Sequence, residues 1–373
     1  MTDKLYYTGT PQENPNPDKE WHRFPYPNPK KTNDASCYRA SEGLRAAVNI
    51  ALELGLPLLL TGEPGVGKSS VARSLNLEMG FKDEDLLHFT VKSDTKDSEL
   101  FYNYDTLGRF HAAQGQTKIA DESAAEANDK ADPKRFIRYQ ALGMAILLAK
   151  GRDNLPSEIM TKTAWDKFSV ERRRAVVLID EIDKAPRDMP NDILNEIERM
   201  EFRIPELFKV KDELIKLSSE EDLKYRPIVI ITSNAERPLP EAFLRRCLFY
   251  YLEMPPFSDD ADKHDSNAVT VESIVTSHFN ESEFDGRDLL LREAISLFRH
   301  LRNPELKLSR KPSLAEFLDW LRYLSKSKQE HTQLSEREDF AISIQAALLK
   351  NQDDQQNIKK FIINWQAEQA SKK

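Results

Sequence analysis

The sequence predicts an α/β domain built on a parallel five-stranded sheet, followed by a small all-α domain. Three observations carry this reading. Short unbroken apolar runs recur between Pro57 and Leu252, helical stripes separate them, and strand patterns stop after about residue 266. Unbroken apolar runs are how strands read when both of their faces are buried, as in parallel sheets. Strands alternating with helices imply right-handed crossovers.

Residues 1–37 read as a Pro-rich arm, because Pro11, Pro15, Pro17, Pro25, Pro27 and Pro29 favour extended chain over helix. Residues 38–54 read as helix, with Leu44, Ala47, Val48 and Ala51 on one stripe. Residues 57–61 are the first strand, and 68–79 return to helix. Strands follow at 86–91, 175–179, 227–231 and 248–252. An insertion is expected at about 111–170, since 116–134 is charged and Ala-rich without apolar period; within it, 136–148 recovers a helical stripe. Residues 258–265 form a polar acidic linker. Beyond it, Leu291, Ala294, Ile295, Phe298 and Leu301 share a helix face. So do Leu314, Phe317, Leu318, Leu321 and Leu324, and then Ile358, Phe361, Ile362 and Trp365.

Composition bounds the function. The 373 residues carry 54 Lys+Arg against 62 Asp+Glu, a net charge of −8, which argues against a general nucleic-acid coat. Cys37 and Cys247, far apart in the chain, fit a reducing cytoplasm better than a disulfide scaffold. No apolar run approaches the roughly 20 residues of a membrane span. The seven histidines show no metal-ligand spacing.

Glycine is scarce, with 12 in the chain, yet Gly62, Gly65 and Gly67 fall within six positions. They belong to Gly62-Glu63-Pro64-Gly65-Val66-Gly67-Lys68-Ser69, which satisfies G-x-x-x-x-G-K-[ST] between an expected strand and an expected helix. In such a loop the backbone N–H groups point at phosphate oxygens, and the helix N-terminus adds a positive dipole end. Lys68 reaches the β- and γ-phosphates, the Ser69 hydroxyl binds Mg²⁺, and Ser70 continues the nucleotide-binding turn. Asp180-Glu181 ends the third strand at the same sheet edge. Asp180 is placed to hold Mg²⁺ and Glu181 to polarise an attacking water. Asp183 reads as a cap or a surface charge.

With these motifs the chain resembles the AAA+ ATPases, and more closely their MoxR-type branch. The resemblance rests on Leu178-Ile179-Asp180-Glu181-Ile182-Asp183-Lys184-Ala185 and on Asn191-Asp192-Ile193-Leu194-Asn195-Glu196. It extends to Phe202-Arg203-Ile204-Pro205-Glu206, which is similar to that branch's hairpin insert, and to Thr232-Ser233-Asn234 and Pro240-Glu241-Ala242-Phe243-Leu244-Arg245-Arg246-Cys247. It implies a P-loop AAA+ core over 38–257 and a helical lid over 266–373, with ATP and Mg²⁺ as cofactors. Asn234 becomes the residue that orients the lytic water. Arg246, with Arg245 as the alternative, becomes the arginine finger acting on a neighbour's ATP, and Arg310 or Lys311 the lid residue at the γ-phosphate. A finger acting on a neighbour implies a ring, in this family a homo-hexamer. The resemblance further implies a chaperone-like role on a protein client, often beside a von Willebrand A domain partner. Two other readings stay open. One is a nucleic-acid-associated motor using a basic patch at Arg172, Arg173 and Arg174; the other is a slow nucleotide-gated scaffold. Tyr102, Tyr104 and Phe110 either pack on the sheet or line a ring pore.

Overall fold

The computed structural model describes residues 34–115, 132–156, 159, 171–207, 214–260, 268–279, 284, 287–326 and 333–371. Two compact units divide the chain. One is Ala40–Met254; the other is Pro255–Lys373 with the described part of Met1–Arg39. The arm before residue 34 and most of 116–134 lie outside the described residues.

In the Ala40–Met254 unit the strands are β1 (Leu58–Gly62), β2 (Leu86–Thr90), β3 (Tyr102–Tyr104), β4 (Ile137–Tyr139), β5 (Val176–Asp180), β6 (Glu201–Arg203), β7 (Leu214–Lys216), β8 (Ile228–Thr232) and β9 (Leu248–Leu252). Five of them form one parallel sheet in the order β2-β5-β8-β1-β9. Position in that order explains the sequence pattern. The inner strands β1 and β8 are buried at every residue, so they read as unbroken apolar runs. The edge strand β9 alternates, with Phe249 and Tyr251 exposed between less exposed neighbours.

Helix Glu42–Leu54 begins at Ser41, whose hydroxyl accepts the Leu44 N–H at 3.3 Å, and ends at Gly55 in the left-handed region. It packs on β9, with Tyr250 Oη 3.3 Å from Ser41 Oγ. The expected helix start at residue 38 is therefore early by a few residues, since the N-cap sits at Ser41.

The expected insertion at 111–170 is too wide. Residues 137–150 belong to the core: β4 pairs antiparallel with β3, and helix Ala141–Lys150 packs on β2 and β5. That helix is buried on nearly every side, so it has no polar face and no amphipathic stripe. A Cβ at Gly143 would stand 2.1 Å from the Phe101 carbonyl oxygen, so glycine permits this close approach. β6 and β7 form the antiparallel hairpin. Tyr102 donates to Glu206 at 2.9 Å, and Phe101 stacks on Phe202 with ring centroids 5.3 Å apart. Tyr102 is thus a packing residue, while Phe110 is exposed.

The other unit is helical. Leu290, Ala294, Leu297, Phe298 and Leu301 of Asp288–Arg302 face Leu314, Phe317, Leu318, Leu321 and Leu324 of Leu314–Lys326 in a buried core. Phe298 and Phe317 stack at 4.1 Å, a pair worth about 0.5–1.5 kcal/mol beyond its area burial. The expected linker at 258–265 is tethered where it is described. Ser258 bonds Glu272 at 2.8 Å and Arg299 pairs with Asp259 at 2.8 Å and with Asp260. The rest of it, 261–265, lies outside the described residues.

Candidate active site

β1 runs directly into the glycine-rich loop. Gly62 ends the strand at φ 143°, and a Cβ there would lie 2.2 Å from the Leu252 carbonyl oxygen of β9. Its glycine is therefore required by the neighbouring strand as well as by the loop's curl. Gly67, at φ 95°, starts helix Lys68–Glu78 without a side-chain acceptor at its N-cap. The first-turn N–H groups of that helix are consequently directed at the loop, the arrangement that holds a phosphate. Val66 is buried beneath the loop, whereas Glu63, Pro64 and Gly65 are exposed, and the Ser70 N–H bonds the Gly67 carbonyl at 3.0 Å.

Lys68 is buried. Its Nζ donates to the carbonyls of Gly62 at 2.8 Å and Glu63 at 3.0 Å. Burial lowers its pKa, against the pull of Asp183, Asp180, Glu181 and Glu63. An ammonium folded onto the loop's own backbone is positioned to exchange those carbonyls for phosphate oxygens.

Asp180 ends β5, and three side chains converge on it. Ser69 Oγ donates to Oδ1 at 2.8 Å, Thr232 Oγ1 donates to the same oxygen, and His88 Nε2 stands 3.3 Å from Oδ2. Register explains the convergence. Thr90 pairs with Asp180 and His88 with Leu178, so His88 lies on the same face, diagonal to Asp180. Burial would raise the Asp180 pKa, but hydrogen bonds from His88, Thr232 and Ser69 hold it at about 2. A hydroxyl and an ionised carboxylate in contact form an oxygen-rich donor set suited to hydrated Mg²⁺. The loop, the open helix N-terminus, Lys68 and this pair together fit Mg-ATP.

Glu181 adopts a left-handed backbone at φ 62° and donates its N–H to Thr232 Oγ1 at 3.0 Å. Its carboxylate accepts from Lys184 Nζ at 2.7 Å. Asp183, expected as a cap or surface charge, is buried instead. It accepts the N–H of Asn234 at 3.3 Å and of Glu236 at 3.0 Å, and so fixes the turn after β8. Asn234 is thereby held half-buried two residues beyond the end of β8, a neighbour of both β1 and β5. His88, Thr232, Asp183 and Lys184 were missed as site residues. Thr232, directly before Ser233-Asn234, and Asp183 and Lys184, inside the run Leu178–Ala185, stood in motifs already singled out, whereas His88 carried no such signal.

The two arginines lie elsewhere. Arg245 and Arg246 precede β9, whose first residue Leu248 pairs with Leu58 at the start of β1. The phosphate loop leaves the other end of β1, about 13 Å away at roughly 3.3 Å per residue. Arg245 pairs with Glu241 at 2.9 Å, and Arg246 with Glu198 at 3.2 Å. Cys247 behind them is largely buried, which pushes its thiol up to about 12.

In the helical unit, Arg310 pairs with Glu316 at 3.0 Å, while Lys311 is exposed and pairs with no described carboxylate. Asp354 is buried and accepts the N–H groups of Ser309 at 3.1 Å and Arg310 at 3.3 Å, so the segment is braced from within.

The candidate basic patch is consumed internally. Arg172 pairs with Asp222 at 3.1 Å, Arg173 with Glu84 at 2.7 Å and Asp85 at 3.2 Å, and Arg174 donates to the Lys224 carbonyl. Among the described residues no helix is long and apolar enough to cross a membrane, and no cluster of His, Cys, Asp and Glu has the form of a metal site.

Residues 57–247 match the family model for the AAA domain of the dynein-related subfamily. No curated protein matches the chain. The match spans just over half of the sequence and covers the glycine-rich loop, Asp180-Glu181, Asn234 and both arginines; the chain belongs to the AAA+ ATPases.

Proposed function

We propose that this chain is a MoxR-type AAA+ ATPase that hydrolyses Mg-ATP in a homo-hexameric ring and uses the cycle to remodel or mature a partner protein complex. In this reading Lys68 and the loop from Gly62 to Ser70 bind the phosphates. Ser69 and Asp180 hold Mg²⁺, which when bound neutralises charge on the phosphate oxygens. Glu181 takes a proton from the attacking water, which Asn234 orients. Arg246 of one subunit reaches the ATP of the next, with Arg245 beside it, and Lys311 is the lid residue at the γ-phosphate.

The observation that carries the reading is the distance between its parts. Lys68, Ser69, Asp180, Glu181 and Asn234 gather at the carboxyl edge of the sheet, while Arg245 and Arg246 stand at the amino edge. Within one subunit those arginines are remote from the phosphate loop, which favours action on a neighbour and hence a ring. Pairing of Arg172, Arg173 and Arg174 with internal partners favours a protein client over nucleic acid.

The experiment is affinity capture with the Glu181→Gln variant in ATP. Recovery of a folded protein partner, a von Willebrand A domain protein among the candidates, supports remodelling. Recovery of DNA or RNA overturns it in favour of a nucleic-acid motor.

A further inference from the structure

β5 lies between β2 and β8 in the sheet, and the loops that follow those two strands meet beyond its end. They form a cleft of about 320 Å³ whose wall includes Thr90, Lys92, Glu181, Glu236 and Arg237. Both loops are fixed at the backbone. The Lys92 N–H donates to Oγ1 of buried Thr95 at 2.8 Å, and the Thr95 N–H returns to the Lys92 carbonyl at 3.2 Å. On the β8 side, buried Asp183 accepts the N–H of Glu236, the residue before Arg237, at 3.0 Å.

The charges of the wall are unevenly committed. Glu181 is paired with Lys184 at 2.7 Å, and Asp183 serves backbone N–H groups. Lys92 and Arg237 are exposed, and neither side chain has an ion pair or hydrogen bond among the described residues. Against these two cations the wall offers one uncommitted carboxylate, Glu236. The balance left over favours an anion. A guanidinium and an ammonium on separate loops suit a tetrahedral oxyanion, which presents oxygens in several directions. Hydrolysis would deliver one at this place. In an in-line displacement the phosphoryl group moves away from the leaving oxygen and towards the attacking water. Glu181, the residue assigned to that water, is part of the cleft wall. We propose, resting on the ATPase reading above, that the cleft is a subsite for the inorganic phosphate that hydrolysis releases, held by Arg237 and Lys92 as it leaves.

The test is calorimetric titration of inorganic phosphate into the Mg-ADP complex of the full chain, with folding followed by thermal melting. Arg237→Gln and Lys92→Gln should each weaken phosphate binding about 3- to 5-fold, the scale of one exposed charge pair. The double variant should weaken it about 10-fold or more, with Mg-ADP affinity retained. Arg237→Lys, which keeps the charge, should bind phosphate more tightly than Arg237→Gln. Glu236→Gln removes the opposing carboxylate and should tighten phosphate binding, an effect that loss of fold could not produce. Phosphate that fails to bind the parent complex, or that binds Arg237→Gln and the double variant as tightly as the parent, overturns the cleft assignment. The ATPase reading then stands as long as the parent chain turns over Mg-ATP. A parent chain without Mg-ATP turnover overturns that reading, and the phosphate subsite with it.

Discussion

Ser69 Oγ donates a 2.8 Å hydrogen bond to Asp180 Oδ1, joining the first turn of one helix to the end of a strand 111 positions later. That bond places the residues read as metal ligands in direct contact, and Thr232 and His88 complete the environment of the carboxylate. The chemistry of the site depends on this junction at the carboxyl edge of the sheet.

Asp180 sets a pH dependence. Burial works against its ionisation, and the hydrogen bonds from His88, Thr232 and Ser69 prevail, lowering its pKa from 3.8 to about 2. Since the folded value lies below the unfolded one, its stabilisation is present above pH 3.8 and is lost as pH falls toward 2. Asp180→Asn should remove that acid limb from urea unfolding midpoints and weaken Mg-ATP binding in titration calorimetry.

Gly62 and Gly80 both have positive φ, but only Gly62 faces a backbone oxygen within 2.2 Å; nothing lies within 4 Å of a Cβ at Gly80. Gly80→Ala should cost about 1 kcal/mol from its left-handed backbone alone. Gly62→Ala should cost at least about 2 kcal/mol more, through strain and the displaced strand. Chemical denaturation of the two variants measures the difference.

Asp183→Ala should remove the acceptor of the N–H groups of half-buried Asn234 and exposed Glu236. Losing these two hydrogen bonds to a carboxylate should cost about 1–3 kcal/mol in all, since the donors can turn to water. Unfolding should register that loss, and turnover should fall further than ATP affinity, because the turn carrying Asn234 loosens.

These effects show what could be read along the chain and what could not. The three inner strands were legible because burial on both faces leaves apolar runs such as Val176–Asp180, while the edge strands β2 and β9 are less buried and were read from short apolar and aromatic runs. The phosphate loop and Asp180-Glu181 were legible because their chemistry is local. Helix Ala141–Lys150 was legible as the helical stripe at 136–148, but its place in the core was not, because that depends on packing against β2 and β5, which lie far away in the sequence. β3 and β4 are three residues each and more than 30 positions apart, too short and too distant to announce their pairing. Asp183 and His88 escaped for a related reason. Asp183 acts on backbone 51 positions away, and His88 meets Asp180 only through strand register.

Arg246→Ala should leave ATP binding near the parent value while turnover falls by about 10³-fold, as for loss of an arginine finger. Mixing it with Glu181→Gln subunits should restore part of the activity, because intact Arg246 then faces intact Glu181. A mixture as inactive as its components would exclude action between subunits.

Whether the loop carrying Lys68 is an ATP-hydrolysing site is decided by steady-state Mg-ATP turnover of the parent chain beside Lys68→Ala. The parent should turn over measurably, and a folded Lys68→Ala should lose at least about 10²-fold. A folded Lys68→Ala that hydrolyses ATP at the parent rate would leave the loop without a part in hydrolysis.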